Sequence, residues 1–177
     1  MRAGVDIGGT YIKAGLIEEE NGHIINQSLV DFPSKKGEIV VWNIIYNQII
    51  DLLEKENYSI FDLSFLGVAV PGNIDNSGET VINAFNLNFH NTHIKKALVD
   101  KFNGINVKII NDANAATLAE HKFGVLKGAN TAVLITLGTG VGGGLILGGK
   151  RFTGGIENGI EIGHMTLKYD GKKDDCG

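Results

Sequence analysis

The sequence is poor in the features that mark secreted, membrane-spanning and nucleic-acid-binding proteins. Its 177 residues include a single cysteine, Cys176, which excludes an internal disulfide framework and predicts a reducing, cytoplasmic location. The net charge is −4 and no basic stripe is present, so a nucleic-acid partner is not expected. No apolar run is long enough to span a bilayer, and the first residues lack the basic and apolar regions of a signal peptide.

Glycine, by contrast, is abundant. The chain has 25 glycines in an otherwise ordinary soluble composition that is 43% hydrophobic and 20% charged. They cluster in short turns rather than in a linker, which predicts close approaches of the backbone to other groups. The length allows one large domain or two small ones.

The order of the predicted elements indicates an α/β fold. Short strands are expected over residues 3–7, 11–18 and 23–31, joined by turns at Gly8-Gly9 and Asn21-Gly22 in which glycine tolerates positive φ. The elements that follow are a helix over 38–55, a strand over 64–70 ended by Pro71-Gly72, a helix over 93–103, a strand over 106–110 and an alanine-rich helix from Asn111-Asp112 to a cap at Gly124.

The last part of the chain repeats the opening hairpin. A buried strand over 131–137, a glycine-dense turn over 138–144 and a returning strand over 145–147 predict a duplicated fold with one phosphate loop from each half. We therefore predict a first domain over 1–124 and the start of a second, similar domain over 125–177. About fifty residues are few for an independent core, so the chain is expected to be a fragment of a longer protein.

The turn after the first strand is a candidate phosphate site. Asp6 ends the strand and could hold a hydrated Mg²⁺, while Gly8 and Gly9 leave backbone N–H groups open to an anion. Thr10 and Lys13 could reach phosphate oxygens. The spacing is neither a Walker A loop nor a Rossmann fingerprint, and an ordinary Gly-Gly hairpin is the alternative interpretation.

Asn111-Asp112 also allows two interpretations. Aspartate is a favoured N-cap, and a helix is predicted to begin here. A carboxylate after a strand also lies where α/β sheets place their ligands, and Asp112 could accept a proton from a substrate hydroxyl during phosphoryl transfer. One residue can do both.

Polar residues on other turns are weaker candidates. Thr139 and Gly140 offer a hydroxyl and an exposed amide, as in the first loop, although a glycine-rich hairpin without a ligand is the alternative. Glu161 and His164 converge only if the chain turns near Gly163. His164 and Cys176 could belong to a zinc site, but two ligands do not make one. The amide-rich segment around Asn86 and the turn at Gly72 and Asn73 suit either a polyhydroxyl ligand or ordinary loops.

Taken together, these segments resemble the ROK family (repressor, open reading frame, kinase) of bacterial sugar kinases, within the actin-like ATPase superfamily. The matches occur in the family's order over the whole chain. They are Asp6-Ile7-Gly8-Gly9-Thr10, Pro71-Gly72 with Asp75, Asn86-Leu87, Asn111-Asp112-Ala113-Asn114-Ala115-Ala116, the glycine-rich segment 138–144 and Glu161-Ile162-Gly163-His164.

The resemblance implies an actin-like (ribonuclease H-like) fold and ATP-dependent phosphorylation of the 6-hydroxyl of a hexose or N-acetylhexosamine. Asp112 would be the general base. The implied sugar-binding residues are Gly72, Asn73, Asn86, Asn111, Glu161 and His164. The residues implied around the nucleotide and Mg²⁺ are Asp6, Gly8, Gly9, Thr10, Lys13, Thr139 and Gly140.

Three departures from the family pattern bear on these expectations. Asp174 stands where the first cysteine of the family's zinc motif is usual, so zinc would have an altered ligand set in a longer parent. Glu157 and Ile160 replace usual glycines beside the sugar. Family members are also about twice this long, so the chain alone is not expected to be fully active.

The resemblance leaves the substrate and the class of protein open. Glucose is the expected substrate because it is the commonest in the family, with N-acetylmannosamine and N-acetylglucosamine as alternatives. Similar proteins are often homodimers. A sugar-responsive repressor is disfavoured because residue 1 directly precedes the first strand, leaving no helix-turn-helix ahead of it. A non-catalytic nucleotide-binding module would not need the sugar-binding residues.

Overall fold

A five-stranded mixed sheet organises the first part of the chain. The computed structural model describes residues 1–32, 37–138, 140–154 and 160–172. The strands are β1 (Arg2–Ile7), β2 (Tyr11–Ile17), β3 (Ile24–Asp31), β4 (Phe65–Val70) and β8 (Asn106–Asn111), in the order β3-β2-β1-β4-β8. The first three are antiparallel, whereas β1, β4 and β8 run parallel. The predicted strands are confirmed, with ends shifted by a residue or two.

Two helices cover one face of this sheet. Helix α1 (Glu38–Lys55) has the bounds predicted from its apolar periodicity and packs on β2 and β3. Helix α2 (Ile94–Lys101) packs on β8 and on α1. Alternate residues of β1 (Ala3, Val5 and Ile7) are buried in the same core as these helices.

A second, small sheet was not predicted. It consists of β5 (Asn73–Ile74), β6 (Val81–Ala84) and β7 (Phe89–Thr92), all antiparallel. These segments are short and rich in asparagine, so they carry no alternating pattern. The Phe89 ring packs against Trp42 of α1, with ring centroids 5.6 Å apart.

Helix α3 (Asp112–Phe123) follows β8 without an intervening loop. Gly124 follows the helix as predicted, but it does not adopt the left-handed φ of a C-terminal glycine cap. The Glu120 carboxylate instead accepts a hydrogen bond from the Val125 N–H at 2.9 Å. The helix ends on backbone bonds, since the Glu120 carbonyl accepts the Gly124 N–H at 3.0 Å and the Leu126 N–H at 3.1 Å.

The remaining sheet is formed by β9 (Thr131–Leu137), β10 (Val141–Leu147) and β11 (Lys150–Arg151). The prediction of a turn over 138–144 was wrong in its second half, because β10 already begins at Val141 and pairs there with Leu137. The strand glycines provide space. A Cβ on Gly144 would lie 2.2 Å from the Thr117 Oγ1, and one on Gly143 would lie 2.9 Å from the Ile162 Cδ1.

The chain groups into two compact units, Met1–Ala115 and Ala116–Gly177. This division falls inside α3, whereas the sequence placed a domain boundary after residue 124, which stays a prediction. Within the described ranges, no helix combines the length and apolar composition needed to cross a membrane.

Candidate functional site

The carboxyl ends of the parallel strands β1, β4 and β8 meet at one edge of the sheet. The register places Asp6 beside Ala69, and Val70 beside Asn111. The polar residues that follow each strand are thereby brought to the same edge, where α/β proteins bind their ligands. This edge holds the candidate site of the first unit.

Asp6 and Lys13 form a cross-strand pair at this edge. They are register partners on β1 and β2, and the Asp6 carboxylate lies 4.0 Å from the Lys13 Nζ. Burial raises the pKa of Asp6; the Lys13 ammonium lowers it, and the nearby Asp112 carboxylate raises it further. Asp6 therefore lies close to both Lys13 and Asp112 at this edge.

The turn between β1 and β2 has a different geometry from the predicted one. Neither Gly8 nor Gly9 adopts a positive φ, so the proposed reason for glycine here was wrong. The Gly8 N–H donates to the Tyr11 carbonyl at 2.9 Å, and a Cβ on Gly8 would lie 3.1 Å from that oxygen. This close approach favours glycine, because any side chain would crowd the Tyr11 carbonyl. Gly9 and Thr10 are exposed, and Gly9 faces Asn86.

Asn111, rather than Asp112, caps helix α3. The Asn111 Oδ1 accepts the Asn114 N–H at 3.1 Å, and the Asn111 Nδ2 donates to the Gly72 carbonyl at 3.3 Å. Asp112 is exposed, and its Oδ1 accepts only the adjacent Ala113 N–H at 2.8 Å among the bonds described for it. The carboxylate is therefore not committed to capping.

Gly72 occupies a position that only glycine can fill without rearrangement. Its φ is +90°, and a Cβ there would lie 2.0 Å from the Asn83 carbonyl oxygen. Asn73 is exposed on β5 and pairs with Asn83. The turn is thus packed against β6 and reaches Asn111 through the Gly72 carbonyl.

Asp75, part of the same motif in the sequence, stabilises a turn. Burial alone would raise its pKa, but hydrogen bonds from the Glu79 and Thr80 N–H groups and the Ser77 hydroxyl outweigh burial and lower the pKa. A carboxylate with three donors already in place orders the chain between β5 and β6.

In the second unit, Glu161 and His164 converge as the turn hypothesis required. The segment Ile162–His164 is a 3-10 turn, and the His164 Nε2 lies 3.9 Å from the Glu161 Oε2. A Cβ on Gly163 would lie 1.9 Å from the Val141 carbonyl oxygen, so glycine permits this turn to pack on β10.

The other predicted positions are less informative. Gly140 is exposed, and its carbonyl accepts the Gly138 N–H at 2.9 Å. Thr139, Glu157, Asp174 and Cys176 lie outside the described residues, as does the rest of the predicted zinc motif. In the part of the chain that the structure describes, no group of three or more histidine, cysteine, aspartate or glutamate side chains is placed to hold a metal ion.

Comparisons with known proteins show the family of this chain. The model of the ROK family matches residues 2–177. This chain belongs to the ROK family. The Streptomyces coelicolor glucokinase is 36% identical over all of this chain, which spans 53% of that protein. The chain thus has about half the length of the curated relatives it matches.

A solved ROK structure and a ROK regulator extend the comparison. The structure of a ROK family glucokinase from Streptomyces griseus, in complex with glucose and AMPPNP, is 32% identical with a TM-score of 0.79. That match covers 96% of this chain and 52% of the other. The predicted α/β, actin-like fold is confirmed. The xylose repressor of Bacillus spizizenii is 32% identical over 98% of this ROK chain, which spans 44% of that protein.

The raised pKa of Asp6 predicts how stability changes with pH. Because the folded pKa lies above the unfolded value, ionised Asp6 destabilises the folded state near neutral pH, and this cost disappears as pH falls through the folded pKa. Asp6→Asn should therefore equal or exceed the wild type in free energy of unfolding near neutral pH. The exposed ion pair with Lys13 contributes little that could be lost.

Urea denaturation across the acidic and neutral range measures this effect. Asp100→Asn, which removes an exposed negative charge from α2, is the control. A larger loss of stability in Asp6→Asn than in Asp100→Asn near neutral pH would contradict the expectation.

Proposed function

We propose that this ROK chain is the part of an ATP-dependent hexose kinase that carries the general base and one phosphate loop. The enzyme would transfer the γ-phosphoryl group of ATP to the 6-hydroxyl of a hexose, with glucose as the expected substrate. The observation that carries this proposal is the position of Asp112. It is exposed at the carboxyl end of β8 and lies close to Asp6. Because Asn111 caps α3, the Asp112 carboxylate is not needed as the cap.

Each residue of the sheet edge has a role in this proposal. Asp112 accepts the proton of the 6-hydroxyl as that oxygen attacks phosphorus. Asn111 donates to a sugar oxygen, and the sugar lies against Gly72, Asn73 and Asn86. The resemblance adds Glu161 and His164 as partners of other sugar hydroxyls.

The first turn suits a nucleotide with Mg²⁺. Mg²⁺ usually keeps several waters and binds through one or two carboxylates and substrate phosphates, so a half-exposed Asp6 fits it. When bound, the ion neutralises charge on the transferring phosphoryl group. Lys13, Thr10 and the Gly9 amide would hold phosphate oxygens, whereas the Gly8 N–H already donates to the Tyr11 carbonyl. Thr139 and Gly140 would form the second phosphate loop.

Coupled ADP release tests the proposal. This chain and a full-length protein that contains it would be assayed with glucose, N-acetylglucosamine, N-acetylmannosamine, fructose and allose. Turnover driven by glucose supports the proposal as stated, and turnover driven by an acetylated sugar reassigns the substrate. Turnover by the full-length protein alone would show that catalysis needs the remaining half. No sugar-dependent turnover in either protein would overturn the kinase assignment.

A sugar-responsive regulator is the second candidate, favoured by the similarity to a xylose repressor. A regulator would bind sugar without turnover and change its affinity for promoter DNA. Sugar-dependent DNA binding by the full-length protein would establish this alternative.

A cytoplasmic homodimer, with zinc held in part by His164 and Cys176, completes the expectations for the whole protein.

A further inference from the structure

Asn114 is a buried polar residue whose hydrogen bonding is incomplete. It lies in the first turn of α3 and is 2% exposed, and its Oδ1 has no hydrogen-bond partner in the described structure. Buried amides are normally paired, so an unpaired acceptor requires a physical explanation.

The partner of its other amide atom provides that explanation. The Asn114 Nδ2 donates to the Asn111 Oδ1 at 3.4 Å, and the Asn114 backbone N–H donates to the same oxygen at 3.1 Å. Rotating the Asn114 amide by half a turn would place two carbonyl oxygens against each other. The Asn114 side chain is therefore held in this orientation by Asn111, at the expense of its own acceptor.

The same contacts fix the orientation of Asn111. Its Oδ1 has two lone pairs, and both are used by Asn114. Its Nδ2 has two hydrogens, and one goes to the Gly72 carbonyl at 3.3 Å. If the Asn111 amide were flipped, its NH₂ group would face the two Asn114 donors, and neither of those donors would have an acceptor. Among the bonds described, one Nδ2 hydrogen of Asn111 is left over.

We propose that Asn114 is a positioning residue that makes Asn111 a single hydrogen-bond donor toward the substrate. This inference rests on the proposed sugar-binding role of Asn111. The pair Asn111 and Asp112 then offers one fixed donor beside one carboxylate acceptor. Such a pair recognises a substrate oxygen that accepts a hydrogen bond next to a hydroxyl that donates one, which is the pattern of neighbouring sugar hydroxyls.

A double-mutant cycle tests this coupling in the full-length protein that contains the chain. The dissociation constants for the active sugar and for an ATP analogue would be measured by calorimetry in Asn114→Ala, Asn111→Ala and the double variant. Asn114→Ala should weaken sugar binding about tenfold and leave the nucleotide constant within about twofold, and the double variant should bind sugar no more weakly than Asn111→Ala. Additive losses in the double variant would overturn the proposal.

Gln48 provides a matched control. It is a buried amide on α1 with an unpaired Oε1, and its Nε2 donates to the Ile12 carbonyl and the Ser28 hydroxyl. Gln48→Ala should lower thermal stability without changing the sugar constant. If Asn114→Ala does not fold, Asn114→Asp keeps the shape, replaces the donor with an acceptor and should weaken sugar binding by a similar factor.

A second measurement separates this proposal from the proposed function. In this chain, the Asn111 side-chain amide proton that donates to the Gly72 carbonyl should resonate downfield and exchange slowly with water, and both properties should be reduced in Asn114→Ala. An unchanged Asn111 signal would overturn the positioning role. No sugar-induced change of that signal in the full-length wild type would instead refute sugar binding by Asn111, leaving the Asn114 contact intact.

Discussion

Replacing Asp112 with asparagine is expected to lower sugar-dependent ATP turnover by about 10²–10⁴-fold, the usual contribution of a positioned general base. An amide cannot take the proton of the attacking hydroxyl, whereas its oxygen can still accept the Ala113 N–H as the carboxylate does. Because Asn111 caps α3, the helix should begin at the same residue and the free energy of unfolding should change little. Coupled ADP release in the full-length protein measures the loss.

A control variant and a second expected result make this prediction specific. Asp100→Asn removes an exposed carboxylate from α2 and should leave turnover unchanged. In Asp112→Asn the pKa of Asp6 should also fall, because the Asp112 carboxylate is one of the groups that raise it. An NMR titration of the Asp6 carboxyl carbon would show this. Retention of more than about a tenth of the wild-type turnover would contradict the role of general base.

Much of the fold could be predicted because its signals are local. The apolar periodicity of α1 gave both of its ends, and the buried strand over 65–70 was bounded by Pro71-Gly72. The small sheet was missed because its pairing is tertiary. Strand β5 has two residues, and β6 pairs through Asn83, which reads as a loop residue in the sequence.

The glycines show why part of the site could not be predicted. Sequence alone suggests that a Gly-Gly turn needs positive φ, but at Gly8 the requirement is space beside the Tyr11 carbonyl. At Gly144 it is space beside Thr117. A sequence lists glycines without saying which atoms approach them, so conformational and steric reasons cannot be separated in advance.

Some polar residues of the sheet edge could be predicted from the sequence and others could not. Asp6 opposite Lys13 follows from the strand pairing and was predictable. Which of Asn111 and Asp112 caps α3 could not be predicted, because either side chain can cap a helix. The motif 111–116 contains Asn114 but assigns it no role of its own. Its position three residues after Asn111, in the first turn of a helix, was the available signal, since such residues face back toward the cap.

Gly72→Ala is expected to lower the free energy of unfolding by about 2–6 kcal/mol, combining the strain of a positive φ with an overpacked contact. The Gly72 φ is +90°, and a Cβ would lie 2.0 Å from the Asn83 carbonyl oxygen and 2.9 Å from the Ala84 Cα. Both neighbours are backbone atoms of β6, so no side-chain rotation can relieve the overlap. Urea denaturation of the chain measures the loss.

Gly78→Ala separates the two causes. Gly78 has φ +67° and nothing within 4 Å of its Cβ position, so alanine there should cost only the conformational strain, about 1–3 kcal/mol. The excess loss in Gly72→Ala measures the close packing of the turn on β6. Since the Asn111 amide donates to the Gly72 carbonyl, that excess should be accompanied by weaker sugar binding in the full-length protein. Equal losses in the two variants would show that the turn can move away from β6, and Gly72 could not then hold Asn111 in place.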